Sequence, residues 1–105
     1  MLIDTHAHLD FSDYSSDRDS VLARAFDAGV THVVNIGIDL KTSKESIALA
    51  RMYDNVFATV GLHPHEASRE KDDTSFSEFE ALLKSPKVIA IGEIGLDYFR
   101  DISCR

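Results

Sequence analysis

The chain has 105 residues, 44% hydrophobic and 28% charged, which suits one small globular domain and excludes a disordered chain or a pair of domains. Its formal charge is −7, from 11 Lys+Arg against 18 Asp+Glu, so bulk charge does not hold a polyanion, and any nucleic-acid binding needs a local source of positive charge such as bound cations. A single cysteine, Cys104, excludes an internal disulfide; with no basic and apolar leader at Met1 to Asp4 and no apolar run of membrane-spanning length, the expected location is the cytoplasm.

In chain order, the first strand begins at Leu2-Ile3 and runs toward His6 and His8. A helix is expected over Asp17 to Asp27, with Val21, Leu22, Ala25 and Phe26 on one face and Gly29 as its stop. The second strand is Thr31 to Gly37. The second helix is expected to start at Thr42, where Thr42-Ser43-Lys44-Glu45 fits a capping box, and to bury Ile47, Leu49, Ala50 and Met52. The third strand is Val56 to Gly61, and Glu66 to Asp73, charged and without apolar period, reads as a surface loop. The third helix opens on the box Ser75-Phe76-Ser77-Glu78, packs Phe76, Phe79, Leu82 and Leu83, and is shut off by Pro86. The fourth strand is Val88 to Gly92. The strand runs are β-branched and nearly continuous, the pattern of strands buried on both faces.

The order β-α-β-α-β-α-β with right-handed crossovers gives a parallel α/β sheet with its helices outside. A whole (β/α)8 barrel takes about 250 residues. Either an open doubly wound sheet or a barrel begins with this order. The chain is expected to be one domain, residues 1–105, with room for roughly the N-terminal half of a TIM barrel and too little after the fourth strand to cover its edge.

Chemistry in parallel α/β folds sits at the C-terminal ends of the strands. Four of the five histidines fall there: His6 and His8 after the first strand, His63 and His65 after the third. Glu93 ends the fourth strand. His32 lies at the opposite end, at the start of the second strand, and reads as structural. His6 and His8, two apart on extended backbone, point to one face and can reach one metal ion, for which imidazole favours zinc, manganese or iron over magnesium. The competing reading is a hydrogen-bonded surface pair; Asp4 two residues earlier and the strand-end position favour the metal. Glu93 after an apolar strand suits a metal ligand able to bridge two ions, against a rim carboxylate facing solvent or Arg100. In Gly61-Leu62-His63-Pro64-His65, Pro64 fixes the loop, and two readings stand level for its imidazoles: contact with a phosphate, or hydrogen bonds that support other ligands.

Three segments, Leu2 to Asp10, Gly61 to His65 and Gly92-Glu93-Ile94-Gly95-Leu96-Asp97-Tyr98, together resemble the TatD-type deoxyribonucleases of the amidohydrolase superfamily. The resemblance implies a TIM barrel with two divalent metal ions (Mg, Mn or Zn) that hydrolyses phosphodiester bonds of DNA from the 3′ end. It implies that His6 and His8 hold one metal, that Glu93 bridges or ligates, and that His63 and His65 line the substrate cleft. Two further histidines and a late aspartate of the family pattern have no match before Arg105, so the chain alone is expected to be inactive. The alternatives are a small-molecule amidohydrolase or phosphoesterase, and a non-catalytic half-barrel that self-associates through its open sheet edge.

Overall fold

A computed structural model describes residues 1–69 and 73–100. The strands are β1 (Leu2–Ala7), β2 (Val30–Asn35), β3 (Val56–Val60) and β4 (Val88–Ile91); the helices between them are α1 (Arg18–Asp27), α2 (Leu40–Met52) and α3 (Asp73–Leu82). Short 3-10 turns follow β1 at Ser12–Tyr14 and β3 at Pro64–Arg69. All three strand pairings are parallel and the order is β1-β2-β3-β4, so each chain crossover returns to the neighbouring position.

The core lies between the sheet and the helices. One cluster joins Leu9, Leu22, Val33, Leu49 and Val56; a second joins Ile47, Ala50, Ala58 and Val60, with Phe79, Leu82, Leu83 and Val88 packed against it. Burial on both faces holds for β2, where consecutive Val33, Val34, Asn35 and Ile36 are all buried, and for β3. It fails for β1 and β4. Among the described residues each has a strand on one side only, and Leu2, Ile3, Ile89 and Ile91 are exposed.

Three expectations change at the helices. α2 starts at Leu40 rather than Thr42, because Asp39 is the cap: its carboxylate accepts the Thr42 N–H at 2.8 Å, while Thr42 Oγ1 accepts the Asp39 N–H at 3.0 Å. Thr42 therefore occupies the third helical position of the box, a place usually held by Glu or Gln. Likewise α3 begins at Asp73, two residues before Ser75. Met52 and Phe76 are exposed, at 70% and 72%. Met52 is the last residue of α2, and Phe76 lines an apolar cavity of about 390 Å³ with Leu62, Phe79, Leu83, Ile91 and Ile94. α1 follows the expected span, ending before Gly29, whose φ of +106° reverses the chain toward β2. The loop reading of residues 70–72, and the ending Asp101 to Arg105 with Cys104, lie outside the described residues.

A contact invisible in the sequence secures the end of α2. Lys87 donates from Nζ to the carbonyl oxygens of Ala50, Tyr53 (2.7 Å) and Asp54 (3.2 Å), and lies 5.1 Å from the Phe57 ring centroid. The Ala50 and Tyr53 carbonyls, in the last turn and at the C-cap of α2, carry the negative end of the helix dipole, so one ammonium meets both.

Candidate metal centre

At the end of β1 the two-residue period brings the His6 and His8 rings together, edge to face, with centroids 5.1 Å apart. Asp4 Oδ1 accepts the His6 backbone N–H at 3.0 Å. The His8 ring stacks on Phe11 at 4.7 Å, and Phe11 is tied back by its N–H to the His8 carbonyl at 3.2 Å. His8 Nδ1 is buried and has no hydrogen-bond partner among the described residues.

The segment just beyond His8 is held from within. Asn35, fully buried on β2, accepts the Leu9 N–H at 2.6 Å and donates to Asp10 Oδ1 and Ser46 Oγ, both at 2.7 Å. Arg18 Nε donates to the Leu9 carbonyl at 2.6 Å. The signal for Asn35 was present in the sequence, as an amide interrupting Val33-Val34-Asn35-Ile36, but its partners lie far along the chain.

Glu93 arrives from the far edge of the sheet. Its N–H donates to the Gly37 carbonyl at 2.7 Å, and the Gly92 carbonyl accepts Thr59 Oγ1–H at 2.7 Å. The Gly92–Glu93 peptide bond is cis. A Cβ at Gly61 would fall onto the Gly92 carbonyl group, so only glycine lets the end of β3 lie against the peptide that carries Glu93. The carboxylate then sits between two imidazoles, with Oε2 3.5 Å from His6 Nε2 and Oε1 3.3 Å from His63 Nε2. Arg100 instead places its backbone N–H on Asp97 Oδ1.

One ligand atom from each of His6, His8 and Glu93 lies within 4.8 Å of the others, so all three can hold one ion. His63 reaches this group through Glu93. His65 turns aside: its Nε2 pairs with Asp97, whose Oδ1 also accepts the N–H groups of Phe99 (2.8 Å) and Arg100 (3.0 Å). The His65 hydrogen bond first, and these amides after it, hold the Asp97 carboxyl down to about 2. Sequence reasoning gave Asp97 no role, although it stands in the third motif. His32 is remote, bonded through Nδ1 to Thr31 Oγ1 at 3.0 Å and tilted against Phe57.

A family model described as "TatD related DNase" matches residues 3–104. The chain belongs to the TatD-related DNase family. It is 41% identical over 102 residues to the 3′-5′ ssDNA/RNA exonuclease TatD of Shigella flexneri and 40% identical to that of Escherichia coli K12, covering 97% of this chain and 39% of each relative. Among solved structures, the E. coli TatD homologue YjjV matches with a TM-score of 0.85 at 37% identity, over 95% of this chain and 39% of that one. A TatD-family hydrolase from Entamoeba histolytica matches with a TM-score of 0.84 at 32% identity, over 92% of this chain and 38% of that one. The chain thus spans about four-tenths of its relatives' length, and its β-α-β-α-β-α-β unit is the half-barrel expected from the sequence.

Family membership implies a divalent metal, and the residues fit one. Two imidazoles and a carboxylate are an N2O donor set suited to zinc, manganese or iron. His8 Nδ1, buried with no hydrogen-bond partner among the described residues, is a polar atom whose burial calls for a donor or a cation.

Proposed function

We propose that this chain carries the first-metal half of a TatD-type nuclease centre, with His6, His8 and Glu93 as ligands. The observation that carries the reading is the convergence of those three donors, from opposite edges of the sheet, within 4.8 Å. A divalent ion held by these three residues, Mg, Mn or Zn, would supply Lewis-acid chemistry toward a phosphoryl group and water. Around it the protein's own residues orient and restrain. Asn35 and Arg18 fix the backbone beyond His8, Gly61 admits the Glu93 peptide, and Asp97 holds His65 at the edge of the cleft. His65 in this reading faces the nucleic-acid substrate. The local positive charge of the ions offsets the chain's −7 where phosphates approach.

Two metals need more donors than these three. The remaining ones, two histidines and an aspartate in the family pattern, are proposed to come from the other half of a barrel, so the 105-residue chain on its own is inactive. Residues 1–105 act as one incomplete barrel domain, and the reaction proposed for the complete barrel is 3′-5′ hydrolysis of DNA phosphodiesters in the cytoplasm. No helix among the described residues is long and apolar enough to cross a membrane.

A chimera tests this. This chain replaces the corresponding segment of the E. coli exonuclease, and 3′-labelled single-stranded DNA is followed with Mn²⁺. Stepwise shortening that is lost on His8→Ala or Glu93→Ala supports the proposal. A folded, metal-loaded chimera that leaves DNA intact and hydrolyses small esters or cyclic amides overturns it in favour of a small-molecule hydrolase.

The exposed edges favour a second property. Leu2 and Ile3 on β1, and Ile89 and Ile91 on β4, mark apolar edge strands without outer neighbours among the described residues. We propose that the isolated chain self-associates through these edges. Light scattering across a concentration series checks it, and a monomer at all concentrations rejects it.

A further inference from the structure

The loop Gly61-Leu62-His63-Pro64-His65 contains a hydrogen bond that determines where the His63 proton resides. The His65 backbone N–H donates to His63 Nδ1 at 3.0 Å. A nitrogen that accepts a hydrogen bond bears no proton, which leaves Nε2 as the ring nitrogen free to donate. Nε2 lies 3.3 Å from Glu93 Oε1. The backbone leaves little freedom at either end of this chain of contacts: His63 N–H donates to the Ile38 carbonyl at 2.8 Å, and Glu93 N–H to the Gly37 carbonyl at 2.7 Å. Both anchors are consecutive residues following β2, so His63 and Glu93 are suspended from one short segment.

We propose that His63 is a positioning residue for Glu93 rather than a contact for substrate. Its Nε2 faces Oε1 at 3.3 Å and leaves Oε2 toward His6, the side on which His8 also offers a nitrogen. A carboxylate on a short stem after a strand end has several rotamers; a donor on one oxygen selects the one that completes the donor set. The inference rests on the reading of His6, His8 and Glu93 as metal ligands, but its proton assignment stands on the loop geometry alone.

The experiment uses the 105-residue chain labelled with ¹⁵N. Long-range proton–nitrogen spectra without metal report the His63 tautomer, and Mn²⁺ titration by calorimetry reports affinity. Expected are a proton on Nε2 and none on Nδ1 of His63, and a loss of about 10–100-fold in Mn²⁺ affinity for His63→Phe. His63→Gln, whose amide can still donate toward Glu93, recovers part of that loss. Amide spectra that overlay away from the site show that each variant is folded. A His63 Nδ1–H tautomer overturns the proposal, as does His63→Phe binding Mn²⁺ like the parent while Glu93→Ala does not. If His8→Ala and Glu93→Ala both bind Mn²⁺ like the parent, the metal reading fails and the positioning role falls with it.

Discussion

Asn35 and Asp10 stand 25 residues apart and are joined by a 2.7 Å hydrogen bond from Nδ2 to Oδ1. The same buried amide accepts the Leu9 N–H and donates to Ser46, so one side chain ties the segment after His8 to β2 and α2. Asn35→Leu keeps the volume but strands the Leu9 N–H and the Ser46 hydroxyl. The expected loss is about 2–4 kcal/mol, as two buried polar groups lose a partner. Urea unfolding checks it, and an unchanged midpoint would remove the network from any account of the site.

Gly61 sets how closely β3 approaches the peptide carrying Glu93. Gly61→Ala puts a methyl group onto the Gly92 carbonyl, a backbone atom group that has no rotamer to yield. Overpacking of this kind costs about 1–3 kcal/mol. The larger effect expected is on the centre, since relief requires the end of β3 and the peptide that carries Glu93 to move apart. Parallel measurement of thermal unfolding and Mn²⁺ affinity should show affinity falling by more than stability does.

Lys87 carries a testable share of the fold far from the centre. Lys87→Met keeps most of the stem over Phe57 and removes the ammonium from the carbonyls of Ala50, Tyr53 and Asp54. A charge-assisted bond and a helix-end cation together suggest a loss of about 2 kcal/mol. Hydrogen exchange should show the loss concentrated in the last turn of α2, with the α1 amides changing only by the global amount.

Asp97 gives a pH dependence with a defined sign. Its folded-state carboxyl is held at about 2, below the ordinary 3.8, by the His65 hydrogen bond and the Phe99 and Arg100 amides. A depressed carboxyl stabilises the fold where it is ionised in both states, and that contribution fades as pH falls from the ordinary value through the folded one. Parent and Asp97→Asn should therefore differ by a constant amount above about pH 5 and converge as pH drops from 3.8 toward 2. Curves that stay parallel across that range would mean that the carboxylate contributes nothing.

The strand ends and the residues that gather there were legible in the sequence for one physical reason: backbone period and strand polarity are local. Two-residue spacing put His6 and His8 on one face, and apolar runs ending at Gly located Glu93 on the same rim. What escaped depends on partners distant along the chain. Lys87 meets carbonyls more than thirty residues earlier, and Asn35 draws on Leu9 and Ser46 from opposite directions. Local competition explains the helix starts: Thr42 and Ser75 each look like a cap, but Asp39 takes that role for α2 by accepting the Thr42 N–H, and α3 already runs from Asp73. Periodicity also marked Phe76 as core, although the cavity it lines leaves it largely exposed.

Metal binding should appear as stability, because an ion that binds only the folded chain shifts the unfolding equilibrium. With free Mn²⁺ at a hundred times its dissociation constant the gain is about 2.7 kcal/mol, and chelation by EDTA should reverse it fully. His8→Ala removes the imidazole whose Nδ1 lacks a partner, and should abolish the Mn²⁺-dependent rise in Tm while leaving the metal-free Tm close to the parent value. His32→Ala, a histidine at the opposite end of the sheet, should keep the full rise. An equal Mn²⁺ response in both variants would place the ion somewhere other than the rim formed by His6, His8 and Glu93.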